Sequence, residues 1–218
     1  MMTGDFWSPV RLSIQVAGLS GILVFILGII LARMMAKKKF RGRVLLETAF
    51  LLPLVLPPSV VGFLLIVIFG KSGMPGKFIE RVFDQPLMFT WWAAVIASTV
   101  VAFPLMYQSA KTGFEGIDEE IENAARVDGA GEWRLFLNVS LPLAVKSIVT
   151  GAILSSARAL GEFGATLMFA GNIPGQTQTI PTAIYIAMDS GNMTLAWLWV
   201  AVIIVISFIM LFIVTYIK

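Results

Sequence analysis

The sequence contains no cysteine and no histidine in its 218 residues. The first absence excludes disulfides and thiol catalysis, and the second excludes imidazole-based metal sites. Charged residues are scarce, at 13% of the chain. The nucleotide-binding pattern G-x-x-x-x-G-K-[ST] does not occur, so the chain is not expected to hydrolyse ATP alone. No nucleophile–base pair or cluster of metal-ligating side chains appears, which speaks against an enzyme. Internal repeats and low-complexity segments are missing as well. The first nine residues carry no Lys or Arg, so the basic head of a signal peptide is not expected.

Apolar residues fill the space that these absences leave. They make up 58% of the chain, and mean hydropathy is +0.88. Several runs approach the ~20 apolar residues that cross a bilayer. The pattern predicts an all-α, polytopic membrane bundle in a single domain, 1–218. Five spans are expected, at about Val10–Met35, Leu45–Phe69, Met88–Ala110, Leu141–Leu160 and Thr194–Ile217. Backbone polar groups must be satisfied internally in lipid, so each span is read as a helix. The period-2 alternation of a membrane barrel is absent.

Basic residues between the spans set the expected orientation. The first loop carries Arg33, Lys37, Lys38, Lys39, Arg41 and Arg43. The second carries Lys71, Lys77 and Arg81, and the third Lys111, Arg126 and Arg134, with Lys146 just beyond. Glu162 to Met193, after the fourth span, has none. The first and third loops are therefore expected in the cytoplasm, with the N-terminus outside and the C-terminus inside. The basic cluster of the first loop is read as a topology determinant that meets anionic lipid. No aromatic or base-reading pattern accompanies it, so nucleic acid is not an expected partner.

One polar stretch interrupts the apolar chain, "IENAARVDGAGEWRLFLNVSLPLA", Ile121 to Ala144. Ile117, Ile121, Ala124 and Ala125 follow the spacing of one helical face. Asp118, Glu119, Glu120 and Glu122 crowd the first turns, where a helix N-terminus favours negative charge. Gly129 and Gly131 then break the helix. A second short piece presents Trp133, Leu135, Phe136 and Leu137, and Pro142 is expected to open the fourth span. The residues alone allow two readings, a helix lying on lipid or a docking element for a soluble partner.

The spacing of this loop, about 117–140, resembles the cytoplasmic signature of ATP-binding-cassette importer permeases. Ala124-Ala125 are followed at the matching distance by Gly129, and nine further residues lead to Val139, Ser140, Leu141 and Pro142. The acidic position of that signature holds Asn123, with Glu122 one place earlier. The resemblance implies that Glu122, Asn123, Ala124, Ala125, Gly129, Trp133, Phe136, Leu141 and Pro142 form a coupling segment seated on a separate ATPase subunit. It also implies two permease copies and two ATPase copies. Five helices are few to enclose a gated path, which agrees with a homodimer. ATP would be used by the partner, and no cofactor is expected on this chain.

"FLLPLVLPPSVVGFLLIVIFGKSG" and "SSARALGEFGATLMFAGN" extend the resemblance to permeases of molybdate importers, in the wider sulfate and molybdate group. An external oxyanion-binding protein and a plasma-membrane location follow from it. The alternatives are a sulfate, thiosulfate or tungstate permease of the same architecture, and a secondary anion transporter. Pro53, Pro57 and Pro58 are expected to break the second span, with Ser59 offering polar contacts along a pathway. Gly62 would allow close helix approach. Arg158 and Glu162, one helical turn apart, are expected to pair near the outer end of the fourth span as part of a gate. Gly161 and Gly164 beside them permit bending or close packing.

Overall fold

The structure is a computed structural model that describes residues 3–38 and 40–217. It is all-helical, with no strand among the described residues. The helices are α1 (Thr3–Ala36), α2 (Arg43–Val55), α3 (Pro58–Phe69), α4 (Met74–Phe83), α5 (Trp91–Glu115) and α6 (Glu119–Val127). Next come α7 (Glu132–Leu135), a π-helical turn at Phe136–Ser140, and α8 (Leu141–Leu143). The chain ends with α9 (Val145–Leu160), α10 (Gly164–Ala170), α11 (Ile180–Asp189) and α12 (Met193–Ile217).

Among the described residues, α1, α5 and α12 are each long and apolar enough to cross a membrane unbroken. They sit differently. Of the most apolar stretch of α5, 61% is buried, against 11% for α12. Helix α5 is the axis of the bundle, with α1 and α9 packed along it. Met106, Tyr107 and Phe114 are fully covered on α5, and Val24 and Ala32 on α1. Helix α12 touches α9 and α11 and leaves most of its apolar surface free, as a lipid-facing helix does.

Two expected spans are not single helices. The second, Leu45–Phe69, breaks between α2 and α3 with a bend of 119°. Leu56 and Pro57 are both extended there, with ψ of 141° and 137°. The cause is the Pro57-Pro58 pair, because a residue preceding proline is pushed out of the helical region. Pro53 lies within α2 and does not break it. The fourth expected span, Leu141–Leu160, bends by 73° at Ala144. Pro142 thus belongs to the helical piece that precedes the bend, and α9 opens at Val145. Proline has no N–H for the carbonyl four residues earlier and crowds it, and the turn just before Pro142 is widened into the π-helix.

The stretch expected as a loop, Glu162 to Met193, contains α10 and α11. Helix α10 packs against α3 and α5, and α11 against α12 and α1. Phe169, Ala170, Ile180 and Thr182 are fully buried. Gly62 makes the α3–α10 approach feasible, since a Cβ there would sit 2.9 Å from Met168 Cβ and 3.1 Å from Ala165 Cα.

Candidate functional site

The loop expected to be cytoplasmic folds as a short bracket. Ile117 is buried, and Asp118 caps α6 by accepting a hydrogen bond from the Glu120 amide at 2.9 Å. The turn after α6 depends on Gly129, whose φ is +85°. This left-handed conformation is open to glycine at little cost. Arg126 donates to Glu132 at 2.8 Å and to Asn123 at 3.0 Å, closing the bracket across the turn. That ion pair holds the exposed Glu132 carboxyl below the usual carboxylate range.

The apolar face of α6 is left open, as either reading of it allows, and the face turned inward is an acidic one. Ile121 and Ala124 point outward, and the buried side chain of α6 is Glu122, 1% exposed. Its carboxylate accepts from Arg33 Nη1 at 2.9 Å, Lys37 Nζ at 2.9 Å and Ser140 Oγ at 2.8 Å. Arg126 stands 3.8 Å away on the loop side. Burial by itself would raise the Glu122 pKa. The hydrogen bonds from Lys37 and Ser140 and the Arg33 charge outweigh it and hold the group below the usual range. The site therefore keeps an ionised carboxylate inside the protein.

The second half of the bracket divides its apolar residues between two tasks. Leu135 is fully buried, contrary to the expectation that it is presented. Phe136 is half-buried, its ring 6.1 Å from that of Phe114. Trp133 is 71% exposed and Val127 87%. Ile121 and Leu137 are exposed as well, so the bracket leaves several large apolar side chains uncovered, a kind of surface that partners cover. Leu141 and Pro142 lie at the base of the bracket, next to the bend.

The residues expected at a gate come together elsewhere. Arg158 Nη1 donates to Glu162 Oε2 at 2.7 Å, and Glu162 is 2% exposed. The other oxygen, Glu162 Oε1, accepts from the Ala165 amide at 2.8 Å and so caps the start of α10. Pro58 meets Gly164, where a Cβ would lie 3.0 Å from the proline Cβ and 3.5 Å from the Ser59 amide. The break between α2 and α3 is thus next to the start of α10. Pro57, Pro58 and Ser59 are all exposed in the single chain. The capping role of Glu162 and the burial of Glu122 escaped sequence reasoning. The available signals were a carboxylate three residues before an amide that starts a helix, and an acidic residue opposite two cations distant in sequence.

The chain is thus a bundle of broken helices around one central span, with the bracket at one end. Among solved structures, a bacterial alginate ABC transporter in complex with its alginate pentasaccharide-bound periplasmic protein matches with a TM-score of 0.76. That match has 18% identity and covers 99% of this chain and 78% of the other. The MetNI methionine ABC transporter in an inward-facing conformation matches at 0.75 with 17% identity and full coverage of both chains. Residues 25–218 match the family model of the binding-protein-dependent transport system inner membrane component. The chain belongs to that family and is a multi-pass membrane protein.

Among curated relatives, the putative molybdenum transport system permease protein YvgM of Bacillus subtilis (strain 168) is 66% identical over 95% of this chain and 92% of its own length. The molybdenum transport system permease protein ModB of Escherichia coli (strain K12) is 43% identical over 85% of this chain and 81% of its own.

Proposed function

We propose that this chain is the permease subunit of an ATP-driven importer that carries molybdate into the cell, powered by a separate ATPase docked on the loop 117–140. The observation that carries the coupling role is the exposure of Val127 and Trp133 on a bracket whose root is a buried, ionised Glu122. A helix resting on lipid has no need of such an anchor. The relatives named for molybdenum transport support the choice of substrate.

Two permease copies enclose the pathway, two ATPase copies drive it, and an external binding protein delivers the anion. The chain crosses the membrane five times, counting each bent pair as one span. Its N-terminus lies outside and its C-terminus in the cytoplasm, as the basic loops favour. The Arg158–Glu162 pair and the exposed Pro57–Ser59 break form part of the outer gate. Few cations line the membrane interior, which suits a path that must release a dianion rather than hold it.

The deciding experiment reconstitutes the permease with its ATPase and binding protein in liposomes and follows molybdate uptake. ATP-dependent uptake that tungstate inhibits, and that sulfate inhibits only weakly, supports the reading. Uptake without the ATPase points to a secondary transporter, and stronger inhibition by sulfate to a sulfate permease. Single cysteines replacing Trp7 and Gln176 both react with an impermeant thiol reagent added outside if the topology holds.

A further inference from the structure

Covalently, the bracket belongs to α5 and α9, between which it lies. Its attachment to α1 is a different matter. Among the described residues, the ion pairs between the two run from Arg33 and Lys37 to one acceptor, Glu122. Lys37 also donates to the Ile117 carbonyl at 3.4 Å. Buried charges are weak evidence of stability, because an apolar contact of the same size holds two elements at least as well. What they add is a fixed geometry.

That geometry forms a continuous line of contacts. The exposed Trp133 ring lies 5.9 Å from Phe136, and Phe136 lies 6.1 Å from Phe114. The Arg33 guanidinium sits over Phe114, 5.8 Å from the ring centroid, while also holding Glu122. Ser140 ties the π-helical turn to the same carboxylate. Both halves of the bracket therefore converge on the base of α1.

From there α1 runs without a break to its other end. Arg33 and Ser13 are separated by about 30 Å of helix, at ~1.5 Å per residue. Ser13 is buried, and its Oγ accepts from the Ile180 amide at 2.7 Å, at the start of α11.

We propose that Glu122 is a positioning residue that fastens the bracket to α1, so that α1 carries displacement of the bracket across the membrane to the start of α11. This builds on the coupling role proposed above. Under it the bracket and α1 move as one body, and a packed helix is stiff enough to transmit the shift.

The chain has no cysteine, so spin labels can be placed singly. Arg134 on the bracket, Met34 on α1 and Val205 on α12 are exposed. Distances are measured by pulsed electron paramagnetic resonance in the assembled permease–ATPase complex, nucleotide-free and vanadate-trapped. With the Arg134→Cys and Met34→Cys pair, the distance is expected to stay within about 2 Å. With Arg134→Cys and Val205→Cys it is expected to change by more than that.

Glu122→Gln should free the first distance to change on trapping and lower molybdate uptake per ATP hydrolysed by about tenfold, with ATPase co-purification retained. Glu122→Asp should restore most of the uptake. A bracket-to-α1 distance that changes in the otherwise unmodified protein overturns the proposal. So does a bracket-to-α12 distance that stays still, or unchanged uptake per ATP in Glu122→Gln. Parallel loss of assembly, hydrolysis and uptake in Glu122→Gln, with no rescue by aspartate, overturns it as well. Failure of the docking reading is distinguishable, since it appears as undiminished ATPase co-purification with Trp133→Ala, a measurement that leaves Glu122 untouched.

Discussion

Glu122 and Glu162 are the same residue type, nearly equally buried at 1% and 2% exposure, and each is paired with arginine. Their surroundings differ. Glu162 is held by neighbours, Arg158 four residues before it and the Ala165 amide three after. Glu122 is held from 89 and 85 residues away by Arg33 and Lys37, and from 18 away by Ser140. The first carboxylate shapes one local turn. The second joins segments that the chain itself keeps apart. Burial alone therefore says little about what a charge is for, and the sequence distance of its partners says much more.

The comparison can be broken most forcefully at Glu122. Glu122→Ala leaves two cations facing an emptied site and should destabilise the permease by about 3 kcal/mol or more. Thermal unfolding in detergent reads this, and a loss no greater than that of Glu162→Ala would erase the distinction. Next in size is Gly129→Val. A valine Cβ meets no atom within 4 Å there, so the cost is backbone strain at φ +85°, about 2 kcal/mol. The variant should reach the membrane yet retain less ATPase on co-purification. Trp133→Ala should weaken ATPase binding by on the order of 2 kcal/mol, with little change in permease stability, because the ring is largely exposed until a partner covers it. A titration of ATPase against membranes carrying each variant separates the two.

At the other carboxylate, Arg158→Ala should lower transport more than assembly. Exchanging the two residues should restore the ion pair but not the cap on α10, leaving a deficit of about 1 kcal/mol. Full recovery would show that the cap contributes nothing. The smallest effect concerns pH. The native-state pKa of Glu122 is lowered from 4.5. Its contribution is thus fully present above that value and is lost only as the pH falls through the lower native one. Amide exchange in residues 117–140 should stay constant from pH 8 to 5, after correction for intrinsic rates, and rise only in stronger acid.

The spans and the loop signature were legible because they are written in local pattern. Apolar runs of membrane-spanning length mark α1, α5 and α12, and a fixed spacing marks Ala124 through Pro142. Pro57-Pro58 announced a break, though not its angle of 119°. Arg158 and Glu162 were paired correctly because they stand only four residues apart. Helices α10 and α11 were missed because they are too short to stand out as spans, and they look like loop until α3, α5 and α12 bury them. That Glu122 rather than an apolar residue of α6 turns inward was not legible for a related reason. Helical periodicity identifies a face, while the surroundings decide which face goes in.

The amino-acid sequence by itself determined the helical class, the membrane environment and the place of the bracket, because hydropathy and proline act within a few residues. Only the tertiary structure decided that Glu122 is the bracket's root, that Glu162 caps α10, and that Phe136 leans on Phe114 while Trp133 stays free. Each of these depends on helices meeting from distant parts of the chain, and such contacts form when packing, rather than local preference, sets which side chains lose their water.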